Sequence, residues 1–404
     1  MPDSPVGVIA AANDAAAASG RERLMIPGPC ELHPREQEIL AAPVEAHYGR
    51  RWAACMRQIL ADLTVLLGAD RTYLLPGSGS AALDAAMFAM FEPGQRVVVV
   101  DSGYFGSRLQ AMARRHGLDV RPAPCEPGRP VDPGRVAELL PGSHGVIVTH
   151  VESATGVRHP VGELAALAGA AGAAIMVDAV AAVGGERIDM TKLGIDALVT
   201  ASQKGLAGAP GLSVLALTEG GRQRVASRSR LSPSWYLDLA TWDAAAQDSP
   251  DREPHPVTMP TNLVRVLASS VRRILAAGVD SWVDGRERLA RECRSGLRQL
   301  GLRLPADEEC AANLVVVATD PRADAVRAHL ADRARIIVSE GLPPFADNAL
   351  RIGLLGRTAT SAMVTVLLSE IETALRGTAT RKTSQELKCQ AASEDSQWDQ
   401  AVAS

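Results

Sequence analysis

The feature that most constrains the fold of this chain is a series of short, almost uninterrupted apolar runs set between helix-like stretches. Val97–Val100, Gly145–Val148, Ile175–Val177, Ala197–Val199 and Ser213–Leu217 show no polar/apolar alternation. A strand that is apolar on both faces must be covered on both faces. Ser80–Phe91, Arg108–His116 and Val161–Ala171 have helical character and supply that cover. The pattern predicts an α/β fold with a mostly parallel sheet between layers of helices.

Length sets the next constraint. At 404 residues the chain exceeds one ordinary core and suits a large domain with a smaller one beside it. A long helical stretch, Val257–Ala277, is opened by Pro260. After about residue 285 the pattern becomes helix, strand Leu314–Val317, helix Ala323–Asp332, strands Ile336–Ser339 and Leu350–Ile352, and a last helix. The expected organisation is an arm at 1–20, a large domain at 21–285, a small α+β domain at 286–377, and a polar, disordered tail at 378–404. Within the large domain, segment 21–45 is expected to pack with the small one.

Composition excludes several function classes. A net charge of −4 gives no electrostatic footprint for nucleic acid. No apolar run reaches the length of a membrane span. The six cysteines are scattered without metal-ligand spacing, so no metal site is expected and the thiols suit a reducing cytoplasm.

Two residues carry a specific chemistry. Ile175-Met176-Val177 ends in Asp178, and Lys204 lies in the small polar loop Ser202-Gln203-Lys204-Gly205. A lysine amine can form a Schiff base with an aldehyde cofactor, and a carboxylate can hold a pyridine nitrogen protonated. The pair suits pyridoxal 5′-phosphate. Upstream, Gly77-Ser78-Gly79-Ser80 follows the strand-like Thr72–Leu75 and opens a helix, which gives free N–H groups and hydroxyls for a phosphate. Gly77-x-Gly79-x-x-Ala82 with Asp101 also fits a dinucleotide fingerprint, so an NAD(P)-dependent oxidoreductase stays open from that segment alone.

Taken in order, Ile26-Pro27-Gly28-Pro29, Gly77–Ser80, Ser102-Gly103-Tyr104-Phe105-Gly106, His150-Val151-Glu152-Ser153-Ala154-Thr155-Gly156, Val177-Asp178-Ala179-Val180, Ser202-Gln203-Lys204 and Leu350-Arg351-Ile352-Gly353-Leu354-Leu355-Gly356 closely resemble the class V aminotransferases of PLP fold type I. The nearest branch is the alanine–glyoxylate and serine–pyruvate group. The resemblance covers roughly residues 22 to 377. It implies a seven-stranded, mostly parallel sheet, a homodimer, and ping-pong transfer of an amino group. The donor would be a small α-amino acid, alanine or serine, and the acceptor glyoxylate or pyruvate.

The same resemblance implies residue roles. Lys204 would hold the cofactor and shuttle a proton, and Asp178 would pair with the pyridine N–H. Ser78, Gly79, Ser80 and Gln203 would bind the phosphate. Phe105 would stack on the ring, and Ser153 and Thr155 would contact its hydroxyl side. Arg351 would hold the substrate carboxylate near Gly28, as a guanidinium does bidentately. Thr258 matches a threonine that reaches the partner subunit's phosphate in the family, while His255 stands where the family has a tyrosine. Gln203 and Phe105 stand where the desulfurase branch has histidines. A 2-aminoethylphosphonate-type transaminase remains an alternative, because Arg228-Ser229-Arg230 is similar to that branch's arginine-containing segment, and so does another PLP reaction in a biosynthetic pathway.

Overall fold

A computed structural model of the chain describes residues 21–229 and 232–377. The arm at 1–20, the tail at 378–404 and Arg230 lie outside the described residues. The large domain is built on a seven-stranded sheet. Its strands are β1 (Arg71–Pro76), β2 (Arg96–Asp101), β3 (Asp119–Pro124), β4 (Gly145–Thr149), β5 (Ala174–Asp178), β6 (Ala197–Ala201) and β7 (Leu212–Leu217). The spatial order is β1-β7-β6-β5-β4-β2-β3. Strand β7 runs antiparallel to both β1 and β6, and the remaining pairs are parallel. Six strands therefore point the same way, and their carboxyl ends form one edge of the sheet.

The residues explain the order. The central strands β4, β5 and β6 are buried along their whole length, as unbroken apolar runs require. Strand β3, Asp-Val-Arg-Pro-Ala-Pro, does not read as a strand by pattern. It is an edge strand paired only with β2. Pro122 and Pro124 lie two residues apart and so fall on one hydrogen-bonding side, which an unpaired edge accommodates.

The small domain has its own core. Leu289, Cys293 and Leu297 of the helix Val279–Gln299 pack with Val316, Leu330, Ile352 and Ile371. Its sheet comprises β8 (Val315–Thr319), β9 (Ser339–Glu340) and β10 (Ala349–Gly353), all antiparallel. The helix Val279–Gln299 runs unbroken through position 285. Segment 21–45 is shared between the two units. Arg23–Leu24 pairs with Ile336–Ile337 and Met25 joins the small core. Farther on, the helix Pro34–Ala41 sits on the large domain, where Ser269 Oγ donates to the buried Glu36 at 3.0 Å. The intervening residues 26–30 run between the two domains.

Two buried histidines underlie the site-bearing edge. His159 Nδ1 accepts the Val131 N–H at 3.1 Å, and burial pushes its pKa down to about 4. His150 is depressed to about 3, first by burial and then by Arg158 and His159. A base whose pKa is lowered on folding stabilises the fold fully above the unfolded value near 6.5, and that contribution is lost as pH falls through the folded value. We expect the stability of the wild type to drop between pH 6.5 and 4. His159→Asn keeps an acceptor near the Nδ1 position for Val131 without the titration, so its stability should fall less steeply over that window, by on the order of 2–3 kcal/mol. Urea unfolding at pH 7, 5.5 and 4.5 measures this; parallel curves for the two proteins would contradict it.

Candidate active site

The carboxyl ends of the parallel strands converge on one cavity of about 220 Å³. Five of the six, all but the edge strand β3, deliver a short segment to it. After β1 come Ser78, Gly79 and Ser80 at the start of the helix Gly79–Met90. After β2 comes Phe105 in the first turn of the helix Tyr104–Arg115. Thr149 ends β4, and Ser153 follows it in a tight turn. Asp178 ends β5, and β6 leads to Gln203 and Lys204. The register sets Thr149 beside Asp178 and Asp178 beside Val199, so the carboxylate sits at the centre of the edge.

Asp178 is buried, and its Oδ1 accepts the Val180 N–H at 2.9 Å. Among the described residues no hydrogen bond reaches Oδ2. Burial raises its pKa, opposed by the Val180 N–H and by the positive charges of Arg108 and Lys204. Such a carboxylate is under-compensated and favours a cationic N–H in the cavity.

Lys204 meets the opposite problem. Its ammonium is desolvated and lies near the Arg351 guanidinium, so its pKa falls to about 8 despite Asp178 and Cys30. Its Nζ donates to the carbonyl oxygen of Pro27. Gly28 follows, with φ +112; a Cβ there would lie 2.6 Å from the lysine Cδ. That close approach and that backbone conformation both require glycine. Arg351 stands on β10 with its Nε donating to the Glu340 carbonyl at 2.7 Å. It faces Lys204 from the small domain and is not part of the cavity lining.

The other expected residues divide. Gln203 lines the cavity with Oε1 buried and unpartnered. Thr155 does not line it: its side chain is buried in the turn, with Oγ1 directed at the Glu152 carbonyl, 3.4 Å away. His255 is also away from the cavity, and its Nε2 accepts the Trp52 indole N–H at 2.7 Å, while Nδ1 is buried without a partner. Thr258 is exposed. Arg228 lines a separate cavity with Tyr73, Asp238 and Asp243.

Sequence reading did not single out three residues of this region. Arg108 lines the cavity, donates to Ser80 Oγ and lies over the Phe105 ring, 6.0 Å from its centroid. Its position three residues after Phe105, one helical turn on, is the signal that could have found it. Thr149 faces the cavity, with Ser102 Oγ 3.4 Å from its hydroxyl. Glu152 lies behind Phe105 and accepts three backbone N–H groups.

An amine of lowered pKa, a buried carboxylate wanting a cation, a helix N-terminus flanked by hydroxyls, an aromatic wall and an orphan amide oxygen together fit pyridoxal phosphate. Residues 44–345 match the family described as Aminotransferase class-V. The alanine–glyoxylate aminotransferase of Oryctolagus cuniculus is 30% identical over 366 residues, spanning 87% of this chain and 92% of the relative. The L-aspartate–glyoxylate aminotransferase of Paracoccus denitrificans is 29% identical, spanning 87% and 89%. A crystal structure of an alanine–glyoxylate aminotransferase from Nostoc sp. superposes with a TM-score of 0.82 at 26% identity, covering 88% of this chain and 95% of that one. The chain belongs to the class V aminotransferases. It has their PLP fold type I and is a pyridoxal-phosphate-dependent transaminase. Membership removes the oxidoreductase alternative.

The lowered pKa gives a direct check. In cofactor-free protein, competitive acetylation of Lys204 followed by peptide mass analysis should show a midpoint near pH 8, because the neutral amine reacts. Arg351→Gln removes a repelling charge and should move that midpoint up. A wild-type midpoint near the usual lysine value, or no movement in the variant, would contradict the geometry.

Proposed function

We propose that this transaminase moves an amino group from a small α-amino acid, alanine or serine, to glyoxylate or pyruvate, with Lys204 and Asp178 as its catalytic residues. The observation that carries the reading is that Lys204 and Asp178 share one cavity, with Arg351 close enough to lower the lysine pKa. Bound pyridoxal phosphate supplies an electrophilic aldehyde and a ring that delocalises the charge left when a Cα proton departs. The chain's residues do the rest. Lys204 Nζ, near neutrality in its proton affinity, takes the Cα proton as general base. Asp178 holds the ring N–H, and Arg108 supports its ionised form. Ser78, Gly79, Ser80 and Gln203 hold the phosphate at the helix N-terminus. Phe105 would form a wall for the ring, Ser153 would contact its hydroxyl side, and Thr155 shapes the turn that bears Ser153.

Arg351 orients the substrate by its carboxylate, while Gly28 leaves room beside Lys204. A fixed guanidinium sets which Cα bond faces the lysine, so orientation and proton transfer are linked. Both relatives above, and the Nostoc protein, are named for glyoxylate, which supports it as acceptor; their donors differ. Arg228 does not line the cavity of Lys204, which weakens one support of the phosphonate alternative; Arg230 lies outside the described residues, and the substrate panel below decides between the two.

A homodimer is part of the proposal. Tyr48, Tyr104, Trp235 and Tyr236 are exposed, and Tyr236 OH donates to Pro76 O beside the Gly77–Ser80 turn at 3.2 Å. Exposed aromatic surface, with Tyr236 beside a site-bearing turn, suits burial by a second copy. The exposed Thr258 would then serve the partner's phosphate, while His255, buried against Trp52, would support that segment from within. Among the described residues no helix is long and apolar enough to cross a membrane, and the free thiols suit a cytoplasmic location.

A steady-state panel of alanine, serine, glycine, L-aspartate and 2-aminoethylphosphonate with glyoxylate tests the substrate. Alanine or serine should lead. Arg351→Ala removes a charge-assisted contact of about 1.5–3 kcal/mol and should lower kcat/KM at least tenfold for carboxylate donors. Preference for the phosphonate or for L-aspartate, or an unchanged alanine reaction in the variant, would defeat the assignment.

A further inference from the structure

The side chain of Glu152 is fully buried, with no exposed surface. Its Oε2 accepts the N–H groups of Phe105 and Gly106, each at 3.0 Å, and its Oε1 accepts the Ala154 N–H, also at 3.0 Å. Phe105 and Gly106 open the helix Tyr104–Arg115. The residue before that helix is Gly103, which has no side chain to cap it. The carboxylate therefore caps a helix from across the site, where the positive end of the dipole favours an anion. Its main chain closes the next turn, since the Glu152 carbonyl accepts the Thr155 and Gly156 N–H groups at 3.1 and 2.8 Å. One residue thus ties the segment bearing Phe105 to the turn bearing Ser153.

Burial raises the pKa of Glu152 to about 7, and the three backbone N–H donors oppose that shift by favouring the ionised acid. Each carboxylate oxygen is used as an acceptor, and every partner is a donor. A carboxamide of the same size would turn an N–H₂ group toward an N–H. Gly103 presses on the same side chain: it has φ +149, and a Cβ there would come within 3.1 Å of Glu152 Cγ and Cδ.

We propose that Glu152 is a positioning residue that fixes the Phe105 ring and Ser153 at a set separation across the cofactor cavity. It touches neither cofactor nor substrate and acts through those two residues. The inference rests on the reading of Phe105 as the ring-stacking wall.

A double-mutant cycle tests it with Glu152→Gln, Phe105→Ala and the double variant. Three quantities are read: the Kd for pyridoxal phosphate, the induced circular dichroism of the bound cofactor, and the Tm of the cofactor-free protein. Phe105→Ala should weaken binding several-fold and reduce the induced signal. Glu152→Gln should do the same, and the double variant should bind within twofold of Phe105→Ala, because both changes remove one ring placement. Multiplied losses in the double variant, or a lowered Tm with wild-type Kd and spectrum, would make Glu152 a fold residue only and overturn the proposal. Where Phe105→Ala itself leaves Kd and spectrum unchanged, the stacking reading falls and this inference with it. Where Phe105→Ala weakens binding and Glu152→Gln does not, this inference alone falls. If Glu152→Gln does not fold, Glu152→Asp, which keeps the carboxylate but draws it back by one methylene from the N–H groups of Phe105 and Gly106, takes its place in the cycle with the same expected and contrary results.

Discussion

The rest of the site is arranged around the buried carboxylate of Asp178. Removing an ionised acid from water is costly, and here burial raises its pKa. The sheet offsets part of that cost. The central position of β5 brings the Val180 N–H onto Oδ1, and neighbouring strand ends bring Arg108 and Lys204 within electrostatic reach. Compensation is incomplete, and this is chemically useful. A pocket that still favours a cationic N–H selects for a protonated heterocycle and keeps it protonated. The parallel direction of six strands makes this possible, because it gathers loops from β1, β2, β4, β5 and β6 at a single edge.

Lys204 is controlled from three parts of the molecule. Its own loop follows β6, its amine hydrogen-bonds to Pro27 in the segment between domains, and Arg351 approaches from the small domain. Gly353 N–H donates to Met25 O at 2.8 Å, and Cys30 N–H to Gln203 O at 3.2 Å, so the crossing segment is anchored on both sides. Asn313 also fastens the small domain to the large one, donating its N–H to Glu186 at 2.9 Å. The proton affinity of the lysine therefore depends on the seating of the small domain, and under the proposed function that seating would join substrate-carboxylate recognition to proton transfer.

Much of this was legible in the sequence for a physical reason. Strands apolar on both faces leave a pattern, and chemistry at strand ends leaves polar residues directly after it; Asp178, Lys204 and the Ser78–Ser80 turn follow that rule. Strand β3 did not, because an edge strand tolerates the charges and prolines that a central one excludes. Arg108 lies in a helix rich in ordinary polar residues, and only the three-dimensional approach of that helix to Ser80 and Phe105 distinguishes it. Glu152 was visible only as one member of a motif, because its work is to accept backbone N–H groups, which no side-chain pattern reveals. Thr155 and His255 show the converse: both types suit a ligand site, yet one is turned into its own turn and the other is bonded to Trp52.

The central claim is that Lys204 is the residue that carries the cofactor opposite Asp178. Borohydride reduction of the cofactor-loaded protein, followed by proteolysis and peptide mass mapping, tests it most directly. The account predicts one stoichiometric label on the peptide containing Lys204, with the peptide containing the exposed Lys192 unlabelled. Label on Lys192 or another lysine, or a protein that takes up no cofactor, would contradict it.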